Sequence, residues 1–428
     1  MNLAKAGVIS DGITRFSNVE EKELISIFNS ESKHKSLLKF VPASGAASRM
    51  FKALFNFLDV YNPKNESLEN YIATNNDDAI AVFAKGLKDF SFYESIKNSI
   101  GDNFSSEGEK VFAFVSELLQ EDKLNYGFFP KGLLPFHSYP ETVTPFQEHL
   151  KEAALYANQN GKARLHFTVS EQHLEMFKNE YNKVTSVVSE TTNTSFEVDY
   201  SFQKSATNTI AVDMENNPFR NADGSLLFRP AGHGALIENL NEQDADVIFI
   251  KNIDNVTVSR HLEEVANSKK ILAGHLLKVQ EKAFEYAQLL NDENLSDNQL
   301  IQIALFLRNK LNVRLDSGFN DLSLSEKVNL LKDKINRPIR VCGMVKNEGE
   351  PGGGPFWVKN SDGEISLQII ESAQIDLSKD HQAEIVKNAT HFNPVDLVCG
   401  VRNCKGEKYN LLDFVDHKQG FISQKTKE

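Results

Sequence analysis

A run of small residues stands where a predicted strand passes into a predicted helix. The sequence VPASGAASRM covers residues 41–50, with Ser44 and Gly45 at its centre. Small side chains let the backbone approach a phosphate closely, and the N-terminus of the following helix points its N–H groups at such an anion. Arg49 adds a side chain that can hold a phosphate through two hydrogen bonds. A tight turn with a surface arginine fits the same pattern, so both interpretations stay open.

A second candidate for phosphate binding is the segment PKGLLPF, residues 130–136. Its two prolines restrict the backbone, so Lys131 could be held toward the same phosphates as a point charge. The alternative is a solvated lysine in a loop.

A third segment, FRPAGHGALIENL (228–240), contains two glycines before a predicted helix. Gly232 and Gly234 leave room for a flat ring to lie against the backbone, and His233 could donate a hydrogen bond to it. The alternative is a glycine turn that simply enters the helix.

A fourth segment, VIFIKNIDNV (247–256), is an apolar strand that ends in polar residues. Asp254 follows the strand, flanked by Asn252 and Asn255. Magnesium binds through one or two carboxylates together with substrate phosphates, so Asp254 is a candidate Mg²⁺ ligand. An Asx turn that closes the strand is the alternative. We favour the metal because the strand has the character of a buried, central one.

These polar residues need a scaffold that brings them together. Apolar runs predict strands at LLKFVPAS (37–44), ARLHFTVS (163–170), TSFEVDYSFQ (194–203) and DADVIFIKNIDN (244–255), with helical patterns between them. Alternating strands and helices predict an α/β fold with a mostly parallel sheet. A ligand of such a sheet lies beyond the carboxyl ends of the strands, where the strand order switches.

The sequence patterns of the remaining residues predict an insertion in the core and further segments before and after it. A mostly helical insertion between the first two phosphate-binding candidates should return close to its starting point and flank the cleft. After the core, the pattern is helical and then β-rich. We therefore expect an N-terminal helix within 1–36, a nucleotide-binding core over 37–260 with its insertion at 53–125, a helical segment over 261–337, and a β-rich lobe over 338–428.

Composition narrows the class of protein. The formal net charge is -12, which argues against duplex nucleic acid or an anionic membrane surface as the partner. The three cysteines, Cys342, Cys399 and Cys404, match no metal-site or disulfide spacing and favour free thiols in a reducing compartment. With no signal-peptide pattern and no long apolar run, we expect a cytoplasmic protein.

Taken together and in this order, the four segments resemble the UDP-sugar pyrophosphorylases, a branch of the sugar-1-phosphate nucleotidyltransferases. VPASGAASRM stands where that family has a glycine-rich loop, and PKGLLPF resembles its Pro-Lys-Gly segment. SFQ (201–203) resembles a strand whose glutamine faces the uracil. RPAGHGALIENL resembles the segment that lines the base, and IFIKNIDNV the strand that carries the metal-binding aspartate. The resemblance covers about residues 37–260, with gaps.

This resemblance implies a nucleotide-diphospho-sugar transferase fold of the GT-A type. The implied activity is transfer of UMP from UTP to a sugar-1-phosphate with release of pyrophosphate, supported by Mg²⁺. Arg49 and Lys131 would then hold the triphosphate beside the loop of Ser44 and Gly45. The base would contact Gln203, Gly232, His233 and Gly234. Asp254, with Asp396 as a second ligand, would hold the metal, and Asn255 would belong to the cofactor-binding site beside Asp254. Glu371 and Trp357 would face the sugar.

The chain also departs from that family. The paired glycines of the loop are absent, and about 80 residues separate Arg49 from Lys131, a spacer long enough to need its own structure. HFNPVDLV (391–398) carries Asp396 where the family has a lysine. Two alternatives therefore stay open, namely a glycosyltransferase that uses a nucleotide-sugar and a non-catalytic nucleotide-sugar-binding protein. The whole chain resembles even more closely a bacterial domain family with no assigned activity, through EGEPGGGPFWV, SLQIIESAQID and THFNPVDLVCG.

Overall fold

The computed structural model describes residues 1–349, 352–360, 363–420 and 422. Its longer strands are β1 (Leu3–Ala6), β2 (Leu37–Pro42), β3 (Lys162–Val169), β4 (Ser195–Phe202), β5 (Val247–Lys251), β6 (Val313–Arg314), β7 (Ile339–Cys342), β8 (Gly354–Lys359), β9 (Ile365–Ile370) and β10 (Asp396–Gly400). Short pairings at Val8–Ile9, Gly12–Ile13, His137–Tyr139, Glu141–Val143, Asn158–Gln159, Thr209–Ile210, Phe228–Arg229, Val345–Lys346 and His391–Phe392 complete the strands of this part of the chain.

The helices alternate with the strands of the core. They are α1 (Asn18–Glu31), α2 (Lys52–Val60), α3 (Leu68–Asn75), α4 (Asp78–Lys85), α5 (Tyr93–Ile100), α6 (Glu107–Leu119), α7 (Pro145–Tyr156), α8 (Leu174–Thr192), α9 (Ile237–Asn241), α10 (Leu262–Leu289), α11 (Asp297–Lys310), α12 (Leu324–Ile335) and α13 (Asp380–Lys387). Within the described ranges, none of them is long and apolar enough to cross a membrane.

The main sheet is mixed, so the chain is an α/β protein. Its six longer strands lie in the order β4–β3–β2–β5–β10–β7, and the short strand Asn158–Gln159 also pairs with β3. The first four of these are mutually parallel, whereas β10 runs antiparallel to both β5 and β7. Strand β2 comes first in the chain among them, yet it lies beside β5, which comes fourth. The strand order therefore switches between β2 and β5.

Both faces of this sheet are covered, which explains why its central strands are almost continuously apolar. On one face, Val247 and Phe249 of β5 join a core built with α1, α7, α8 and α10. On the other face, Ile248 and Ile250 pack with α9 and with Leu411 near the C-terminus. Successive side chains of a strand point to opposite faces, so the single run VIFI contributes to two cores.

The insertion forms a helical unit with its own core. Helices α2 to α6 surround a separate cluster that includes Phe57, Ile96 and Phe114. The chain then returns to its starting point, since the N–H of Ala47 donates to the carbonyl of Phe129 at 3.0 Å. The two ends of the insertion are thus held side by side at the carboxyl end of β2.

The segment before β2 contains more than the expected helix. Helix α1 begins at a capping box formed by Ser17 and Glu20. Ahead of it, β1 pairs with β8 in a second, antiparallel sheet of order β1–β8–β9–β6. This lobe is therefore built from segments that lie far apart in the sequence. Helix α13 packs beside it through Gln382, whose side chain bonds both backbone groups of Leu3 at 3.0 Å.

Helices α1 and α10 pack unusually closely at Gly274. A Cβ atom at this position would overlap the backbone carbonyl of Leu24. Backbone atoms cannot rotate away as a side chain can, so Gly274→Ala should force the two helices apart. We expect it to lower the free energy of unfolding by about 3 kcal/mol, measured by urea denaturation. Asn267→Ala, at an exposed position of α10, should change it little, and equal stability of the two variants would contradict the packing argument.

Candidate functional site

A deep cleft opens at the carboxyl ends of β2 and β5, where the strand order switches. Its volume is about 2850 Å³. The connections that follow two such neighbouring strands run to opposite sides of the sheet, so a crevice opens between them. Such a crevice is where α/β sheets bind ligands. The cleft is lined by these residues singled out in the sequence: Ser44, Gly45, Arg49, Lys131, Gln203, Gly232, Gly234, Asp254, Asn255, Glu371 and Asp396.

The small-residue loop and the PKG segment are joined backbone to backbone. The N–H of Lys131 donates to the carbonyl of Gly45 at 3.1 Å, and Ser170 donates from its hydroxyl to the carbonyl of Ser44 at 3.0 Å. The next residue, Gly132, packs against Ile253, because a Cβ atom there would lie 2.7 Å from a side-chain carbon of that isoleucine. Segments far apart in sequence thus meet at one point.

The same point holds an ion pair. The ammonium group of Lys131 lies 2.7 Å from a carboxylate oxygen of Asp254, and the side chains are 29% and 36% exposed. The proposed phosphate lysine and the proposed metal ligand therefore neutralise each other here. Arg49 is exposed and, among the described residues, has no hydrogen-bond or ion-pair partner. Its charge is available to an anion in the cleft.

His149 of α7 holds the strand tip that carries Asp254. It is fully buried, and its Nε2 lies 3.2 Å from the carbonyl oxygen of Asn252 and 3.1 Å from that of Ile253. Two acceptors require Nε2 to carry the proton and donate. Burial, followed by the nearby charge of Lys39, lowers the pKa of His149 well below its ordinary value. The ring is therefore a neutral donor that fixes the backbone ahead of Asp254.

Beneath the cleft lies a buried charge network that sequence reasoning missed. Glu152 of α7 accepts from Lys39 of β2 at 3.0 Å and from Lys251 of β5 at 2.7 Å. Burial alone would raise the pKa of Glu152, but the two lysine charges outweigh it and lower the pKa. The signal was a lysine inside each of two apolar strands, LLKFVP and VIFIK, since unpaired lysines are almost never fully buried.

Asp396 belongs to the edge of this network. It stands directly opposite Lys251 across the β5–β10 pairing, and it accepts from Lys269 of α10, which is almost fully buried. A metal at Asp396 would have to compete with that buried ammonium group. The described residues contain no cluster of three or more His, Cys, Asp or Glu side chains able to hold a metal. A Mg²⁺ ion at Asp254 would therefore depend on oxygen atoms from a ligand.

The turn ahead of Asp396 is strained. Val395 has a φ of +56°, which is rare for a β-branched residue. Asn393 holds it there by accepting from the N–H of Val395 and donating to the carbonyl of Asp396, both at 3.0 Å. Asn255 donates to the carbonyl of Pro394 at 3.1 Å and so links the tip after β5 to this turn. Strain that neighbouring groups maintain is typical of functional sites.

The glycine segment and Gln203 form another wall of the cleft. Gln203 donates to the hydroxyl of Thr207 at 3.2 Å. A Cβ atom at Gly232 or Gly234 would meet nothing within 4 Å, so packing does not demand glycine there, and the space beside them is open. The backbone of His233 begins a short 3-10 helix, His233–Leu236, and its side chain lies outside the described structure.

The expectation that Trp357 faces a sugar is wrong. Its side chain is only 2% exposed, and the guanidinium carbon of Arg314 lies 4.1 Å from the ring centroid. The indole N–H points to the carbonyl of Asp11 at 3.4 Å. Trp357 is thus a core residue of the second sheet, which the apolar pattern PFWV also fits.

The buried network predicts a pH dependence of stability. Burial is the main cause that lowers the pKa of Lys39 to about 8, from 10.5. The folded state then holds this proton less tightly than the unfolded chain, so wild-type stability should rise between these two pH values and lose that gain below them. In the wild type, the free energy of unfolding should rise by at most about 3 kcal/mol across this interval. Lys39→Met should lack this rise. Urea denaturation across this interval measures it, with the exposed Lys64→Met as control, and parallel curves for wild type and Lys39→Met would contradict it.

The chain belongs to the family described as domain of unknown function (DUF4301), whose model matches residues 1–428. The expected likeness of the whole chain to a domain family is thereby confirmed, and the match gives no support to the likeness with UDP-sugar pyrophosphorylases. No curated protein matches the chain significantly. What the protein does must therefore be inferred from the residues of the cleft.

Proposed function

We propose that this member of the DUF4301 family transfers a nucleotidyl group from a nucleoside triphosphate, with UTP as the first candidate, to a sugar-1-phosphate. The observation that carries the proposal is the meeting of three segments at the switch in strand order. Lys131 bonds through its backbone to Gly45 and through its ammonium group to Asp254. A phosphate-binding loop, a cation and a potential metal ligand are thus within reach of one ligand.

The sheet order supports the GT-A-like part of this proposal. The four parallel strands β4, β3, β2 and β5 have the chain order 3-2-1-4 across the sheet. Nucleotide-binding α/β sheets use this order and place the ligand at the carboxyl ends of the strands around the switch. The antiparallel β10 then brings Asp396 to the same edge.

The proposed roles follow from position along the cleft. Arg49 and Lys131 hold the triphosphate, with the backbone of Ser44 and Gly45 beside it. Arginine can bind a phosphate through two parallel hydrogen bonds, whereas lysine acts as a point charge. The wall formed by Gln203 and the segment 232–234 takes the base, and Asn255, which also lines the cleft, lies beside Asp254.

The reaction requires alignment more than covalent chemistry by the protein. An oxygen of the sugar phosphate attacks the α-phosphorus of the triphosphate, and the bond from that phosphorus to the bridging oxygen of pyrophosphate breaks. The side chains position the two phosphates and offset their repulsion. Magnesium bound with the triphosphate would neutralise further charge there. Asp254 would be its protein ligand, without Asp396, whose carboxylate is held by Lys269.

The Lys131–Asp254 ion pair gives the site a way to respond to its ligand. Both side chains are partly exposed, so the pair contributes only about 0–1 kcal/mol and can be broken readily. When a triphosphate arrives, Lys131 can turn to its oxygens and leave Asp254 to face a cation. Each partner thereby exchanges one opposite charge for another.

Two features of the sequence favour a second candidate function, that of a nucleotide-sugar-binding protein without catalysis. The loop 43–47 lacks paired glycines, and Asp396 stands where the resembling enzymes have a lysine. Incubation with UDP-glucose, pyrophosphate and Mg²⁺ separates the two functions, because only a nucleotidyltransferase forms UTP in this reverse reaction. Binding of UDP-glucose without UTP would favour the second function, and release of glucose without UTP would indicate transfer of the sugar.

Arg49→Met should weaken UTP binding about 10- to 100-fold, since hydrogen bonds to charged groups contribute roughly 1.5–3 kcal/mol. Isothermal titration calorimetry measures the dissociation constant. Arg308→Met is the matched control, because Arg308 is exposed on α11 and does not line the cleft. Equal loss of affinity in the two variants would remove Arg49 from the binding site.

Asp254→Asn should abolish the effect of Mg²⁺ on nucleotide binding without weakening the binding of the nucleotide itself. The change frees Lys131 from its partner, so UTP without Mg²⁺ should bind at least as tightly as it does to the wild type. The gain in affinity that Mg²⁺ gives the wild type should be lost, because an amide is a poor ligand for this hard cation. Titration of UTP with and without Mg²⁺ measures both effects, and an undiminished gain with Mg²⁺ would exclude Asp254 as the metal ligand.

A further inference from the structure

The charges beneath the cleft do not balance. Three lysines, Lys39, Lys251 and Lys269, share two carboxylates, Glu152 and Asp396. All five side chains project from the same face of the sheet or from the helices α7 and α10 that cover it. With every group ionised, the cluster carries one excess positive charge in a place with little water. Such a charge is costly unless a partner of opposite sign is present.

Lys251 is the member of the cluster that both lines the cleft and has hydrogen-bonding capacity to spare. Its side chain is 4% exposed, and its single hydrogen bond to a described residue goes to Glu152. A lysine ammonium group has three donors, so two remain for another acceptor. Lys39, in contrast, uses two donors, for Glu152 and for the carbonyl of His149, and does not line the cleft.

Two chemical events could remove the excess charge. A lysine could lose its proton, and burial together with the neighbouring Lys251 does lower the pKa of Lys269 well below its ordinary value. Alternatively, an anion could enter the cleft and accept the spare hydrogen bonds of Lys251. The second event explains why the excess charge lies at the floor of an open cleft, where a ligand can reach it.

We propose that Lys251 forms a second anion-binding subsite, distinct from Arg49 and Lys131, that takes a compact oxyanion. A phosphoryl or a carboxylate group on the acceptor substrate has the required size and charge. Assigning the anion to the acceptor rests on the proposed function, whereas the subsite itself rests on the charge count. The subsite also lies on the Asp396 side of the floor, since Lys251 and Asp396 stand opposite each other, while Lys131 is paired with Asp254.

Sulfate is the best probe for this subsite, because it is a compact dianion that does not titrate near neutral pH. We expect saturable binding of sulfate to the wild type by isothermal titration calorimetry. Binding at about pH 8, near the pKa of Lys39, should also take up protons, because the anion favours the charged lysines. The proton uptake is obtained from titrations in buffers of different ionisation enthalpy.

Lys251→Met and Lys39→Met form a matched pair, because each removes one charge from the same network and only the first removes a group that faces the cleft. Lys251→Met should weaken sulfate binding about 10- to 100-fold, because it removes both the donor and its charge. Lys39→Met should weaken it less, because only the charge is lost and the donor of Lys251 remains. The folding of each variant is checked by circular dichroism. Should Lys251→Met not fold, the wild-type titration alone decides, because absence of saturable binding or of proton uptake overturns the proposal.

Further titrations distinguish the two kinds of anion. Inorganic phosphate that binds more tightly than acetate, at equal ionic strength, would assign a phosphoryl group, and the opposite order a carboxylate. Equal weak responses to sulfate, phosphate, acetate and chloride would indicate a general salt effect and overturn the subsite. Sulfate binding that depends on Lys251, in a protein that forms no UTP from UDP-glucose and pyrophosphate, would retain the subsite and refute the proposed function.

Discussion

Glu152 connects the three elements on which the cleft depends. Its carboxylate bonds Lys39 of β2 and Lys251 of β5, the two neighbouring strands between which the order of the sheet switches, and it projects from α7, which covers them. His149, one turn earlier on α7, holds the backbone beyond the end of β5. One helix therefore sets both the spacing of the strands and the position of the polar tip above them. The helix itself begins firmly, with Thr144 as its N-cap and Pro145 in its first turn.

A buried ionic network is a poor source of net stability, because the charges lose their hydration. Its value here is geometric. An apolar core would tolerate small slides of α7 along the sheet, whereas the two pairs of Glu152 with Lys39 and Lys251 demand one register. The strained turn at Val395 adds to this rigidity, since the side chains of Asn393 and Asn255 hold it from both sides. The floor of the cleft is thus made of groups that cannot easily rearrange, while its rim, at Lys131 and Arg49, can.

Much of the core could be predicted from the sequence because its signals are local. The run VIFI indicates a buried strand by itself, and a polar tip after it indicates the carboxyl end of a parallel strand. The proximity of Gly45, Lys131 and Asp254 followed from that same rule. The partners of Lys39 and Lys251 could not be predicted, because Glu152 lies about 100 residues from each and carries no local sign of burial.

The prediction that Trp357 faces a sugar failed for a related reason. An aromatic side chain in an apolar strand fits both a core and a ligand platform, and only its contacts with Arg314 and Asp11 decide. The strand Leu3–Ala6 was too short to show a period.

The pairing of β1 with β8 has a consequence for how the chain is made. Residues 3–6 are synthesised well before their partners at 354–359. The parallel strands β2 to β5 can begin to assemble in the meantime, since their contacts with one another lie within residues 37–251, whereas β10, the second neighbour of β5, is made later. The first strand must wait, with its backbone groups exposed to water or to other chains, until the second sheet emerges to receive it. The entropic cost of closing so long a loop grows only slowly with its length. Formation of this sheet is therefore limited more by when its later strands are synthesised than by the free energy of closing the loop. The lobe that borders the cleft would then form late, and the cleft would acquire its full shape only once β8 and β9 have been synthesised.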